Sequence, residues 1–224
     1  MLTVLLPPTL PSAASAEPKK TAKASKGEDS AASEPGRDSA STHPPVNPMA
    51  ELKKSDAALK KLFQRRAPSW SPEADAKRTE MRKIVSGFLD FDELARRSLG
   101  KHWDHLTDKQ RTEFVATLRD LIERSYIKQI HGSPDYQLDF DKETVEGNTA
   151  DVTATLHSVV RGKKVDVAIE YKLLAKGSHW LVYDVITDDQ SMLENYRAEF
   201  NKIINKESFD ALLKRMKKKL EEKE

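Results

Sequence analysis

Hydrophobic residues recur along the chain with two different periods, and the period changes twice. Between residues 52 and 122 apolar side chains return every three or four positions, from 136 to 185 they occupy every second position, and from 192 the longer spacing resumes. The first spacing is typical of amphipathic helices and the second of strands that bury one face. This order predicts an α+β domain: N-terminal helices, a curled antiparallel meander of about four strands, and C-terminal helices, with an apolar cavity between helices and sheet.

The helices are indicated by apolar stripes and by capping residues at their ends. Thr107 and Gln110 have the spacing of a capping box at the start of the longest helix. Asp90 and Glu93 form a similar pair before a short helix that ends at Gly100. The stripes comprise Leu52, Leu59, Leu62 and Phe63; Met81, Ile84, Val85 and Phe88; Phe114, Leu118, Leu121 and Ile122; and Phe209, Leu212, Leu213, Met216 and Leu220.

The strands are marked by strict alternation and are separated by turns that contain glycine. Gly147, Gly162 and Gly177 lie at regular intervals in short polar segments, which predicts consecutive antiparallel hairpins. The alternating residues are Tyr136, Leu138 and Phe140; Val152, Ala154 and Leu156; and Val165, Val167, Ile169, Tyr171 and Leu173.

A last strand begins at Trp180 and leads directly into a helix. Strict alternation predicts that Trp180, Val182 and Asp184 lie on one face and the residues between them on the other. The helix that follows carries an apolar stripe at Met192, Tyr196, Phe200 and Ile203.

Polar residues at this junction have structural interpretations. Asp188 and Asp189 are expected to break the strand and to offer carboxylates to the helix N-terminus, where Ser191 occupies a capping position. Arg197 is expected to pair with an acid such as Asp184 and hold the helix on the sheet, or else to lie at a pocket rim near a phosphate.

Composition excludes some classes of protein. The 224 residues carry a net charge of only +2, with 33% charged and 38% hydrophobic residues, so basic and acidic side chains nearly balance and give no argument for nucleic-acid binding. The chain has no cysteine, which excludes disulfides, thiolate metal sites and thiol nucleophiles.

The N-terminal region differs from the rest of the chain. Residues 1–16 combine a short apolar run with an Ala-Ser-Ala motif and predict a secretory signal peptide. Residues 17–47 are rich in Lys, Ser, Ala and Pro and predict a disordered linker, which leaves 48–224 as a single domain. No stretch approaches the roughly 20 apolar residues of a transmembrane helix.

Candidate chemistry is sparse. His102 and His105 have a spacing that suits two metal ligands, but no third ligand is indicated, so surface or packing roles are favoured and no metal site is expected. Ser191 has no histidine nearby in sequence, and no phosphate-binding glycine motif occurs. The carboxylate pairs, Asp188 with Asp189 and Asp139 with Asp141, are more typical of structural positions than of catalysis. An enzyme in a steroid-isomerase-like cup and a non-catalytic adaptor remain alternatives.

Three blocks of sequence together form a recognisable pattern. They are Asp184-Val185, Ser191, Asn195-Tyr196-Arg197 and Phe200; Phe91 through Leu99, Gly100 and Trp103; and Gln110-Arg111 with Phe114 and Tyr126. With these blocks the chain resembles MlaC-type periplasmic phospholipid-binding proteins, also called toluene-tolerance proteins, over roughly residues 50–213. It departs from the family pattern at Asp189-Gln190, where Gly-Val is usual before the serine.

The resemblance implies a function. It implies a periplasmic carrier without catalytic residues or cofactors, which shields phospholipid acyl chains between helices and sheet. It also implies a part in maintaining outer-membrane lipid asymmetry, with two partners: an inner-membrane ABC transporter complex with MCE domains, and an outer-membrane lipoprotein–porin complex. The expected acyl-chain contacts are the inward-facing residues Leu99, Trp103, Phe114, Leu118, Ile122, Val167, Ile169, Tyr171, Val185, Tyr196 and Phe200.

Overall fold

The structure, a computed structural model, describes residues 46–64, 72–130, 136–160 and 162–222. The predicted signal peptide and all but the last two residues of the predicted linker lie outside these residues, and so do the side chains of Phe63 and Tyr126.

Helices flank a single sheet, as predicted. The first group comprises α1 (Pro48–Gln64), α2 (Pro72–Phe88), α3 (Phe91–Leu99), a 3-10 helix (Gly100–His105) and α4 (Asp108–Ile130). The strands are β1 (Tyr136–Glu146), β2 (Thr149–Val160), β3 (Lys163–Lys176), β4 (His179–Thr187) and β5 (Gln190–Ser191), and the chain continues through α5 (Met192–Lys206) and α6 (Phe209–Glu221).

The predicted helix caps are confirmed. A carboxylate oxygen of Asp90 accepts a hydrogen bond from the backbone N–H of Glu93 at 3.0 Å. Gly100 ends α3 with a positive φ of 50°, a conformation that glycine adopts without steric cost. Thr107 and Gln110 form a reciprocal capping box, with N···O distances of 3.3 Å and 3.0 Å.

The sheet is a meander in the order β1-β2-β3-β4-β5, and all neighbours are antiparallel. Four long strands match the predicted number, and the two-residue β5 is an addition that the alternation did not indicate. The three predicted turn glycines all have positive φ, at 57° for Gly147, 77° for Gly162 and 58° for Gly177.

A bulge in β4 overturns the predicted alternation. Val182 pairs with Leu173, and Val185 pairs with Tyr171. The two β3 residues are two positions apart and share a face, whereas their β4 partners are three apart, so β4 contains one extra residue. The prediction that Asp184 shares a face with Val182 is therefore wrong: Val185 shares it, and Asp184 lies on the other face.

The helices cover one face of the sheet, and the main core lies between them. The backbone N–H of Asp90 donates to the carbonyl of Val182 at 2.7 Å, which ties the α2–α3 junction to β4. Trp180, Val182 and Leu173 contribute the sheet side of this core. In the described part of the chain, no helix is both long and apolar enough to cross a membrane.

Candidate functional site

One group of apolar residues on the helix-covered face of the sheet forms a continuous patch. We call this patch, Leu138, Ala154, Leu156, Val167 and Ile169, the inner strip. Leu156 lies between Leu138 and Val167 in the register, and Ala154 pairs with Ile169. Directly opposite residues on neighbouring antiparallel strands have Cβ atoms about 5 Å apart, so these side chains are adjacent on the sheet.

The inner strip is distinct from the main core. Val167 and Ala154 are buried, whereas Leu138, Leu156 and Ile169 are half-buried. None of the five belongs to the main hydrophobic cluster that the described residues form. The strip therefore consists of two buried and three half-buried apolar side chains that lie on the inner face outside the described main core.

The helical members of the predicted contact set lie in the main core instead. Phe114 and Phe200 have no exposed surface, and their rings meet edge to face with centroids 5.4 Å apart. Tyr196 stacks on Phe200, also at 5.4 Å, and Phe209 closes the group 5.9 Å from Phe114. Leu99, Leu118 and Ile122 are buried in the same cluster.

The remaining predicted contacts lie at the margins of the main core. Trp103 is half-buried against it, with the Arg111 guanidinium 5.5 Å from its ring centroid. Tyr171 lies two positions from Ile169 on β3, and Val185 is its partner on β4. Both are half-buried and also pack against the core. Val167 and Ile169 are thus the two predicted residues that belong to the inner strip.

Sequence reasoning did not single out the other members of the inner strip as contact residues. Leu138, Ala154 and Leu156 were already assigned to alternating strands, but the pairing of β1 with β2 and of β2 with β3 was needed to place them beside Val167. Alternation identifies the face on which a residue lies but does not identify its neighbour across the sheet.

Helix α1 lies along β1 and makes several polar contacts with it. The Tyr136 hydroxyl donates to a carboxylate oxygen of Asp56 at 3.0 Å, and the Lys60 ammonium lies 5.2 Å from the Tyr136 ring centroid. At the start of the helix the backbone N–H of Met49 donates to a carboxylate oxygen of Glu143 at 2.6 Å. These contacts place α1 over the β1 side of the inner face.

A buried aspartate holds the N-terminus of α5, but it is not one of those predicted. One oxygen of Asp184 accepts a hydrogen bond from the Ser191 hydroxyl at 2.6 Å, and the other accepts from the backbone N–H of Leu193 at 2.9 Å. Asp188 and Asp189 break the strand as predicted and form an exposed β4–β5 turn with positive φ, but the prediction that they offer carboxylates to the helix N-terminus is wrong. Asp184 takes that role instead, because both of its carboxylate oxygens accept hydrogen bonds at the start of α5.

The capping role predicted for Ser191 is confirmed. Its hydroxyl oxygen accepts a hydrogen bond from the backbone N–H of Glu194 at 3.0 Å while its proton is donated to Asp184. Both the proton and a lone pair of this hydroxyl are thus used in contacts at the helix N-terminus.

Arg197 holds α5 in place through a different partner from the one predicted. Its Nε donates to the carbonyl oxygen of Arg97 at 3.1 Å, and its Nη1 donates to Glu194 at 2.6 Å. Arg197 therefore pairs with an acid, as expected, but that acid is Glu194 on the same helix; Asp184, given as the example, accepts from Ser191 and Leu193 instead. The contact with the end of α3 ties the two helices together.

The α3 carboxylate Glu93 is held ionised by two arginines. Hydrogen bonds from Arg96, at 2.7 and 3.0 Å, are the main cause that lowers the pKa of Glu93 to about 2, against the opposing effect of burial. A hydrogen bond from Arg97 at 2.6 Å lowers the pKa further, and the Arg97 guanidinium also lies 4.2 Å from the Tyr183 ring centroid. A carboxylate whose pKa is this low is unsuited to general-acid chemistry at neutral pH.

One of the two histidines considered as metal ligands makes another contact. His102 Nε2 lies 2.8 Å from Oδ1 of Asn201, which joins the 3-10 helix to α5. Among the described residues, no group of three or more His, Cys, Asp or Glu side chains is arranged to hold a metal ion.

Known proteins share this fold. A solved phospholipid-binding protein from Ralstonia solanacearum, in complex with a phospholipid, superposes with a TM-score of 0.62 over 77% of this chain and 96% of its own, at 16% identity. The intermembrane phospholipid transport system binding protein MlaC of Haemophilus influenzae is 23% identical over 141 residues. That match covers 62% of this chain and 66% of the relative, just under two thirds of its length.

The family assignment rests on a longer match. The family model of the MlaC protein covers residues 53–218, which extends from α1 to α6 and includes every strand. With this match over most of its length, the chain belongs to the MlaC family.

Proposed function

We propose that this protein is a phospholipid carrier and that the inner strip forms part of the wall that contacts acyl chains. The observation that carries the proposal is the strip itself: in a member of the MlaC family, apolar side chains from three strands form one surface outside the main core. The phospholipid bound by the Ralstonia solanacearum relative supports the same choice of ligand.

The chemistry of the inner strip suits hydrocarbon. Its five side chains are aliphatic and offer no hydrogen-bonding group, so they gain little from contact with water or with a lipid head group. Each CH₂ group removed from water contributes about 0.8 kcal/mol, so an acyl chain binds strongly to such a wall. Release therefore requires a partner with its own apolar path.

The carrier needs no chemical step. Ser191 is engaged in a helix cap, Arg197 binds the Arg97 carbonyl and Glu194, and Asp188 and Asp189 lie exposed in a turn. An enzyme in the same cup would require an acid or base next to the apolar wall with a pKa suited to its task. We therefore place the carrier ahead of the steroid-isomerase-like alternative and of the adaptor.

The proposed setting is the periplasm. There the protein would exchange phospholipid with an inner-membrane ABC transporter bearing MCE domains and with an outer-membrane lipoprotein–porin complex, and so help to maintain outer-membrane lipid asymmetry. Residues 1–16 would direct export, and residues 17–47 would be a linker to the domain from residue 48. Family membership and the name of the Haemophilus influenzae relative support this setting.

The proposed contact set keeps the residues named from the sequence and adds three. Val167 and Ile169 lie in the inner strip beside the added Leu138, Ala154 and Leu156. Tyr171 and Val185 continue this surface toward the main core. Contact of an acyl chain with the packed helical residues requires the helices to separate from the sheet.

The test is native mass spectrometry with lipid extraction, on protein exported to a bacterial periplasm. We expect about one phospholipid per chain in the wild type. Ile169→Asp places a carboxylate in the apolar wall, and we expect it to lose most of the bound lipid because an ionised group cannot contact hydrocarbon without a large cost. Ala168→Asp is the matched control, since Ala168 is the exposed neighbour on the opposite face.

The outcomes separate the functions. Lipid lost from Ile169→Asp and retained by Ala168→Asp would support the carrier, with far-ultraviolet circular dichroism to show that both variants are folded. Ile169→Trp, which fills space without adding charge, serves if the aspartate variant does not fold. A wild type whose mass is that of the bare chain, with no phospholipid in the extract, would overturn the proposal.

A further inference from the structure

The turn between β2 and β3 extends beyond the neighbouring strands. The pairing of β1 with β2 ends at Tyr136 and Ser158, and the pairing of β3 with β4 begins at Ile169. The last pair described in full, Val159 with Lys164, therefore has no neighbour in the described part of either adjacent strand. We call this end, Val159 and residues 162–164, the β2–β3 tip.

The β2–β3 tip combines an exposed apolar side chain with basic side chains. Val159 is 59% exposed, the highest value among the large hydrophobic residues that the structure describes as exposed. Lys164 lies directly opposite it, Lys163 is the next residue along the chain, and both lysines are exposed. Packing within the described fold does not explain the position of Val159.

The acidic residues nearest the β2–β3 tip lie inward of its lysines. Asp166 and Asp139 both contact His157, with carboxylate oxygens 2.7 Å from Nδ1 and 3.3 Å from Nε2. Asp188 lies beside Ala168, since its N–H donates to the Ala168 carbonyl at 3.1 Å. That contact is four residues inward from Lys164, or about 13 Å at the rise of a strand. The described residues of the tip itself carry two lysines and no acidic side chain.

From this combination we infer that the β2–β3 tip is a contact site for an anionic phospholipid bilayer. Val159 enters the boundary between head groups and acyl chains, while Lys164 beside it and Lys163 on the other face of the hairpin stay at the level of the phosphates. Basic residues near a bilayer surface gain about fivefold in affinity each, and that attraction decreases with salt.

The inference rests on the proposed carrier function and specifies which part of the carrier contacts the membrane. Val159 and Lys164 lie on the outer face of the hairpin, while the inner face at the same end carries the Ser158–Val165 pair, followed two positions inward by Leu156 and Val167 of the inner strip. Docking by the tip would therefore bring this end of the hairpin, and with it the inner strip, close to the bilayer.

The opposite end of β2 supplies an internal comparison. Val145, beside the β1–β2 turn, is 42% exposed, but Glu143 and Glu146 flank it there. The same hydrophobic residue type therefore lies at both ends of the sheet, with opposite local charge. Only the basic end suits an anionic surface.

The experiment is flotation of the full-length exported protein with vesicles of phosphatidylglycerol and phosphatidylethanolamine, and with vesicles of phosphatidylcholine alone. We expect wild type to float with the anionic vesicles at low salt and to bind the neutral ones at least fivefold more weakly. Val159→Asp and the double variant Lys163→Glu/Lys164→Glu should each reduce binding to anionic vesicles at least fivefold. Val145→Asp should bind as wild type does.

Three results of the vesicle experiment would overturn the inference. They are equal binding by wild type and Val159→Asp, an equal loss in Val145→Asp, and no flotation of wild type. A loss of self-association in Val159→Asp, seen by light scattering without any vesicle effect, would also overturn it and assign the tip to a contact between copies.

Lipid extraction keeps this test separate from that of the carrier. If Val159→Asp retains its co-purified phospholipid but no longer floats, both proposals stand. If wild type floats but carries no phospholipid, the carrier function fails while bilayer contact is retained.

Discussion

The main core and the inner strip lie on the same side of one sheet and have similar apolar composition, yet their packing differs. Around Phe114 and Phe200, aromatic rings from three helices meet at centroid distances of 5.4 to 5.9 Å, and no side-chain surface is left exposed at either residue. In the inner strip, Leu138 and Ile169 remain half-buried. The comparison teaches that hydrophobic periodicity alone does not separate a filled core from a binding surface.

The largest expected effect distinguishes the two regions by stability. Phe200→Ala removes a ring from a filled core, and we expect a loss of about 3–5 kcal/mol in the free energy of unfolding. Ile169→Ala removes a half-buried side chain outside that core, and we expect a loss below about 1.5 kcal/mol. Urea titrations of the delipidated proteins measure both.

The amount of bound phospholipid should show the opposite order of effects in these two variants. Correctly folded Phe200→Ala should retain phospholipid, whereas Ile169→Ala should carry less of it. Equal stability losses in the two variants would remove the distinction between core and strip.

A smaller effect tests the attachment of the helical side to the sheet. Asp184→Ala removes the acceptor for the Ser191 hydroxyl and for the Leu193 N–H, so we expect a loss of about 2 kcal/mol in unfolding free energy. Asp189→Ala is the control, because Asp189 is exposed in the turn and should change stability little. A larger loss in the control would restore the role that the sequence suggested for it.

The helical side should also respond to acid through Glu93. Its pKa of about 2 lies below the ordinary 4.5, so its stabilising contribution is complete above pH 4.5 and is lost as the pH falls toward 2. Glu93→Gln should therefore show a smaller decrease in stability over that range than wild type. Parallel pH dependences for the two proteins would contradict this assignment.

The stability of the sheet should depend on pH above 6.5 through His157, and this is the smallest of the expected effects. A hydrogen bond with Asp166 and the nearby Asp139 raise the pKa of His157 above 6.5, so its stabilising contribution is present below pH 6.5 and is lost as the pH rises through the raised value. Titration of the imidazole by NMR measures the pKa directly. In Asp166→Asn it should return toward 6.5, while Asp188→Asn leaves it raised.

Much of the fold could be predicted because its signals are local. The capping box at Thr107, the stop at Gly100 and the turn glycines each depend on residues within one or two turns of chain, and the structure confirms them. The bulge in β4 could not be predicted, since it is a mismatch between two strands. The errors at Asp184, Asp188 and Arg197 follow from that one feature or from contacts between distant segments.

The sequence by itself determined the order of helices and strands, the apolar faces and the family, because periodicity, caps and motifs are written in neighbouring residues. Only the tertiary structure decided which apolar residues pack against one another and which form the inner strip. It also decided that β2 and β3 reach past the described ends of β1 and β4 and that Val159 is exposed there. The physical reason is that burial depends on partners distant in sequence, and the period of a face is the same whether or not those partners fill it.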